Sequence, residues 1–303
     1  MARKPEQGIS VDLLLPSEAN LGTPLSVGGD CGQVVPSEAN SHRVPVPNEA
    51  KLGKADLHIH SAAGDALPTP QQILDYVEEH TDLDLIAITD HDEIKGALEA
   101  REIAARRRYR FTVVVGTEIT TRSGHLLALF VEERFPMFQS LERTIAAVHR
   151  QGGICVVPHP LSWLTLSVGA RLLRRHGLHQ SPELTIDGLE AFNPCVAGWV
   201  SHKRVLKLNA SLLHLPELGG SDAHQLHQIG TAYTAFAGHS VADFHNALYG
   251  RETVACGSFW SAGDHLRGAA EQSWKSMVLH PSHKIRRALR AGSAAERSGD
   301  MAE

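Results

Sequence analysis

Six histidines and three carboxylates between positions 58 and 224 have the types and spacings that hold metal ions. His58 and His60 stand one residue apart in KADLHIH, and strand alternation points both imidazoles to one side, where they can chelate a single ion. Asp65 follows in SAAGDA, with Gly64 beside it permitting a tight backbone path. His91 lies in TDHDE, just past a buried apolar run, and Asp90 or Asp92 next to it is suited to capping the helix that follows. Glu118 closes FTVVVGTE, where a carboxylate is costly to bury unless it is paired or metal-bound. His125 opens HLLALFV, His159 sits between two prolines in VVPHP, and GGSDAH supplies Asp222 and His224. Each residue alone has an ordinary role as strand-edge histidine, turn aspartate or helix cap. Their recurrence at the ends of six segments predicts one shared polynuclear site. Its chemistry would be hydrolysis, because divalent ions lower the pKa of water toward neutrality and draw in anionic esters.

Positioning these groups requires strands that end on a common face. KADLHIH (54–60), DLIAITD (84–90), FTVVVGTE (111–118), HLLALFV (125–131), GICVVPH (153–159), IDGLEAF (186–192), LPELGGSDAH (215–224), IGTAYTAF (229–236) and 252–256 read as strands or strand-to-loop segments. Between them, 70–80, 93–108, 139–150, 199–212 and 240–249 have helical spacing, the first with Thr69-Pro70 as cap and first-turn residues. About seven β-α units in one domain predict a parallel α/β barrel, with a doubly wound open sheet as the alternative. Residues 161–185 form an irregular insert carrying RLLRRH.

The flanks differ. Residues 1–50 are polar and Pro-, Gly- and Ser-rich, with PSEAN at 16–20 and again at 36–40, and are expected to be a disordered leader. Residues 51–260 form the folded domain, and 261–303 a helical tail that frays. A formal net charge of -5 speaks against a general nucleic-acid binder, while 19 histidines raise the prior for metal or acid–base work. The cysteines Cys31, Cys155, Cys195 and Cys256 form no CxxC pair, so a disulfide framework is not expected and a reducing, cytoplasmic setting is. No apolar stretch approaches the ~20 residues needed to span a membrane.

The ordered motifs DLHIHS, ITDHDEIKG, GTE, PHP and GSDAH resemble those of the PHP (polymerase and histidinol phosphatase) family of metal-dependent phosphoesterases, over roughly residues 54–257. The resemblance implies a distorted barrel of seven β-α units and two to three divalent ions, Zn, Mn or Fe. It implies that His58, His60 and Asp222 hold one ion, that Asp65, His91 and His224 hold a second, and that His125 and His159 hold a third. Glu118 would bridge. All of these except His125 are also expected to serve catalysis directly. Three such ions against Asp65, Glu118 and Asp222 would leave the centre positive by about three charges. Two departures stand out: relatives often carry SDG where this chain has Gly64-Asp65-Ala66, and only about 40 residues separate Glu118 from His159, too few for the domain some relatives insert there.

The reading that follows is a hydrolase of small phosphate monoesters, of the nucleotide or sugar-phosphate class, with no membrane partner. An exonuclease-type phosphodiesterase acting on nucleic-acid ends is the alternative, favoured by RLLRR and KIRRALR. A non-catalytic, metal-stabilised binding domain is the third. Lys95, Arg122, the 171–175 arginines, His202, Lys203, Arg204, His227 and Trp163 are candidates for the mouth, each with an ordinary reading as a solvated side chain.

Overall fold

The apolar runs become strands because most are buried on both faces. β1 (Leu52–Ile59), β2 (Leu85–Ile88), β3 (Thr112–Thr121), β4 (Gly124–Leu129), β5 (Ile154–Val157), β6 (Gly188–Phe192), β7 (Glu217–Gly219), β8 (Ala232–Ala237) and β9 (Val254–Gly257) form one sheet, in the order β7-β6-β5-β4-β3-β2-β1-β8-β9. The structure is a computed structural model that describes residues 52–260 apart from Gln180, together with Gly263. The leader expected over 1–50 and, Gly263 aside, the tail expected over 261–303 lie outside the described residues.

The sheet nearly closes on itself. Gly219 of β7 donates its N–H to the Thr234 hydroxyl on β8 at 3.1 Å. A Cβ on Gly219 would fall 2.4 Å from the Tyr233 carbonyl oxygen, so only glycine lets these edges approach. The barrel is therefore present, but it is not uniformly parallel. β1, β2 and β3 run parallel, as do β5, β6 and β7, whereas β4 is antiparallel to both its neighbours and β8 to β1 and β9. The reversal at β4 has a local cause: β3 continues past Glu118 to Thr121, which pairs with Gly124 across a two-residue turn, leaving no room for a helix.

Helices α1 (Pro70–His80), α2 (Lys95–Arg107), α3 (Leu141–Arg150), α4 (Ala170–Gly177), α5 (Val196–Trp199), α6 (His202–Leu208) and α7 (Val241–Gly250) complete the described chain. α1 starts as expected: the Thr69 side chain accepts from the Gln72 N–H, Gln72 returns the bond, and Ile73, Leu74 and Val77 face the core. The expected cap on α2 is corrected. Neither Asp90 nor Asp92 caps it; the Glu93 carboxylate accepts from the N–H groups of Ile94 and Lys95 instead, freeing both aspartates for other partners. The 199–212 helix is broken into α5, α6 and a π-turn at Asn209–Leu213, and the 161–185 insert contains α4 and a 3-10 turn at Pro182–Leu184. Among the described residues no helix is long and apolar enough to cross a membrane.

Two apolar clusters lie on opposite faces of the sheet. Ile86, Ile88, Val113, Val115 and Val157 pack against the surrounding helices. Ala55, Leu57, Leu85, Ala87, Val114, Leu127, Leu129, Val156, Leu218 and Phe236 alternate with them and fill the barrel interior. α7, capped by Ser240, lays Phe244, Ala247 and Leu248 against that interior set and floors the barrel.

Candidate metal centre

The C-terminal ends of the parallel strands, with the N-terminal end of antiparallel β4, bring all nine predicted ligands together. β1 carries His58 and ends just before His60, and their Nε2 atoms are 3.1 Å apart. The loop after β1 holds Asp65, β2 leads into His91, β3 carries Glu118 and β4 opens with His125. His159 follows β5, and Asp222 and His224 follow β7. Glu118, 1% exposed, is the hub. Its Oε1 lies 2.8 Å from His125 Nδ1 and 3.2 Å from His159 Nε2, while its Oε2 lies 3.4 Å from His58 Nε2, 3.4 Å from His60 Nε2 and 3.2 Å from His91 Nδ1. Asp222 Oδ1 is 3.3 Å from His60 Nε2 and 3.5 Å from His58 Nε2, and Asp65 Oδ2 is 3.4 Å from His224 Nε2. His91 closes on His60 and Glu118 more tightly than on Asp65, from which it stands 4.0 Å. Asp65, His91 and His224 are the most exposed of the set and form the rim.

Hydrogen bonds fix which ring nitrogen faces inward. His58 Nδ1 is 2.7 Å from the Glu190 carboxylate, which can only accept, so the proton is on Nδ1 and the Nε2 lone pair points at Glu118 and Asp222. The Ser167 hydroxyl donates to the His159 carbonyl oxygen, so it accepts from His159 Nδ1 and leaves Nε2 bare toward Glu118. His224 Nδ1 donates to the Asp222 carbonyl oxygen, so Nε2 is the nitrogen turned toward Asp65. Lone pairs and carboxylate oxygens thus converge on common points, an arrangement that only a cation satisfies, either a proton or a metal ion. The buried Nδ1 atoms of His60 and His125 make no hydrogen bond; His125 Nδ1 is close to Glu118 but wrongly angled for one. Imidazole and carboxylate donors at these separations fit divalent ions of the Zn, Mn or Fe type.

Charge agrees with this. Burial would raise the Glu118 carboxyl, but His91 and His58 hold it well below the usual range. Burial is likewise overcome at Asp222, mainly by His58 and a bond from His60. Burial, reinforced by the nearby His224, drives His60 down to about 4. At His224 burial is outweighed by the Asp65 carboxylate, which lifts it to about 9, so a metal ion there must displace a proton.

Several supporting residues escaped the sequence reading. Glu190 (3% exposed) and Asn193 stand behind His58, His159 and Asp222. Asp90 accepts from the N–H and hydroxyl of Ser61, both at 2.6 Å, and burial pushes its pKa up to about 6. Asp56, also raised to about 6 by burial, accepts from Ser221 and Gly230. Asp92 takes the N–H and hydroxyl of Thr120. Gly124 (φ +124°) presses on the segment that holds Ser167: a Cβ there would lie 2.4 Å from Ser167 C and 2.5 Å from Val168 N. Gly124→Ala is expected to cost about 1–3 kcal/mol and to loosen His159. Melting temperature and metal content report both effects, and no change in either would show that the loop yields.

Lys95 is 76% exposed beside Glu93, Arg122 donates to the Phe138 carbonyl oxygen, and Arg175 approaches Glu142. Arg171, Arg174, Lys203, Arg204 and His227 are exposed, Trp163 is 73% exposed, and His202 donates to the Ala191 carbonyl oxygen. Among the described residues one further ligand-type group, His149, Cys155 and Asp187, lies at the opposite strand ends. It is internally bonded: Asp187 Oδ2 accepts from His149 Nε2 at 2.8 Å and from the Cys155 N–H at 2.7 Å.

Comparison with known proteins gives four likenesses. The family described as PHP-associated matches residues 204–253, which include Asp222 and His224. An uncharacterised protein of Methanocaldococcus jannaschii is 34% identical over 151 residues, 46% of this chain and 81% of that one. The 3′,5′-nucleoside bisphosphate phosphatase of Chromobacterium violaceum is 33% identical over 89 residues, 28% of this chain and 30% of that one. Among solved structures, a two-domain Bacteroides vulgatus protein containing a predicted PHP-like metal-dependent phosphoesterase has the same fold, with a TM-score of 0.54 at 22% identity, over 73% of this chain and 70% of that one.

Proposed function

The chain belongs to the PHP family of metal-dependent phosphoric ester hydrolases, and from that premise we propose that it hydrolyses small phosphate monoesters of the nucleotide or sugar-phosphate class. One observation carries the reading: a single buried carboxylate, Glu118, faces five imidazole nitrogens within 3.4 Å. In this proposal His58, His60 and Asp222 hold one divalent ion, Asp65 and His224 with His91 a second, and His125 and His159 a third, with Glu118 shared. Bound divalent ions supply Lewis-acid charge and an activated water.

The remaining work falls to the protein. Glu190, Ser167 and the Asp222 carbonyl hold protons on the Nδ1 atoms of His58, His159 and His224, which keeps each Nε2 available. Asp65, His91 and His224 at the rim would hold the positive charge that an incoming phosphate meets first, and the apolar interior below excludes bulk water from the opposite side. The resemblance to a nucleoside bisphosphate phosphatase supports a monoester as substrate. Cys155, Cys195 and Cys256 are in no disulfide, which supports a reducing, cytoplasmic setting.

The test is a phosphate-release screen on chelator-stripped protein reloaded with Zn, Mn or Fe. It uses mononucleotides, nucleoside bisphosphates and sugar phosphates, with short single-stranded RNA alongside. Metal-dependent release from the monoesters is expected, with two to three ions per chain by elemental analysis. RNA trimming without monoester turnover would overturn the substrate class. His159→Ala is expected to lose at least one ion and most turnover; unchanged metal content and rate would remove His159 from the site.

A further inference from the structure

Glu190 is a buried carboxylate whose two oxygens face different parts of the metal centre. Oε1 accepts from His58 Nδ1 at 2.7 Å. Oε2 accepts from the His159 backbone N–H at 2.8 Å and from Asn193 Nδ2 at 2.9 Å, and the same Asn193 nitrogen lies 3.4 Å from Asp222 Oδ2. β6 supplies this geometry by alternation: Leu189 and Ala191 face the helix-side core, so Glu190 between them points inward at the top of the barrel. The chain after β7 is fitted around it, since a Cβ on Gly220 would lie 2.4 Å from Oε1.

A carboxylate at a fully buried position is expensive unless every oxygen is used. Here both are used, and by ligands expected on two separate ions. We propose that Glu190 is a positioning residue that couples the loading of two ion sites, the one built on His58, His60 and Asp222 and the one built on Glu118, His125 and His159. A single planar group sets the coordinating nitrogen of His58 and pins the backbone of His159 and, through Asn193, the Asp222 carboxylate. Tilting the group to suit one site strains the bonds that serve the other. The inference rests on the metal assignment proposed above.

Glu190→Gln separates the possibilities. Glutamine keeps the volume but has one acceptor oxygen, so its amide N–H₂ must face either the His58 donor or the His159 and Asn193 donors. Chelator-stripped wild-type and variant proteins are titrated with Co²⁺, followed by visible absorption and calorimetry. The His58 tautomer is read by ¹⁵N–¹H correlation on histidine-labelled protein. Both sites are expected to weaken by about 10- to 100-fold, and the tautomer of His58 reports which of the two oxygens the amide nitrogen has replaced. Weakening at one site only, or at neither, overturns the coupling. A role in stability alone would lower the melting temperature while leaving the Co²⁺ affinities and the tautomer as they are in the wild type. If wild-type protein takes up no Co²⁺, the metal assignment itself fails and the coupling falls with it. Should Glu190→Gln not fold, Asn193→Ala removes one bond to Oε2 and the link to Asp222. A loss of about tenfold at both sites supports the proposal, and unchanged binding overturns it.

Discussion

Glu118→Gln is expected to strip the centre of its shared ions and to lower kcat/KM by about a thousandfold or more, roughly 4 kcal/mol of transition-state stabilisation. The substitution is nearly isosteric, so packing at this 1% exposed position is kept while the charge is lost. That charge faces ring nitrogens of His58, His60, His91, His125 and His159. An amide can bridge no pair of cations with equal strength, and its N–H₂ must point at one cluster of bare lone pairs. The effect should therefore exceed the ten- to hundredfold typical of residues behind the ligands. Elemental analysis and phosphate release on the purified variant check it. Full metal content with turnover within tenfold of wild type would end the bridging role.

Phe244→Ala is expected to produce the largest loss of stability, about 3–5 kcal/mol. Phe244 is fully buried on α7, 5.5 Å from Phe236 in an edge-to-face arrangement, and contributes to the apolar filling of the barrel. Its removal opens a void that neighbouring strands cannot collapse into, because they are fixed by the hydrogen-bonded sheet. For a domain of this size the melting temperature should drop by about 10 °C. α7 lies at the end opposite the metal ligands, so the metal content of the folded variant at 25 °C should match wild type. A drop of under 2 °C would show that the interior repacks. Loss of metal in a folded variant would show that the two ends of the barrel are linked.

The contrast between those two positions bears on what could be read from residue order alone. The clustering of the nine proposed ligands was legible because each is a histidine or carboxylate at or just beyond the end of an apolar run, and the capping of α1 was legible in Thr69, Pro70 and Gln72. The reversal at β4 was not. Its turn, Arg122-Ser123, carries none of the Asn-Gly or Asp-Gly pairs that mark tight hairpins, and the glycine that permits it comes afterwards, at Gly124. Glu190 was missed although GLEAF carries the same signal as VVVGTE, a carboxylate inside a buried strand. It has no histidine beside it in sequence, and its partners His58 and His159 are 132 and 31 residues away. Asp90 and Asp92 were misjudged as helix caps because Glu93, one position nearer the helix, reaches the same N–H groups. Long-range pairing of polar groups, rather than local preference, decided each of these cases.

The floor that α7 lays beneath the barrel also governs traffic. Among the described residues the interior is packed with apolar side chains, so under the proposed function a phosphate ester and its released phosphate would share one doorway at the His91 and Asp65 rim. A departing anion would have to vacate the very space that the next molecule needs. In such a dead-end chamber tighter holding of the phosphoryl group would also mean slower clearing of the exit.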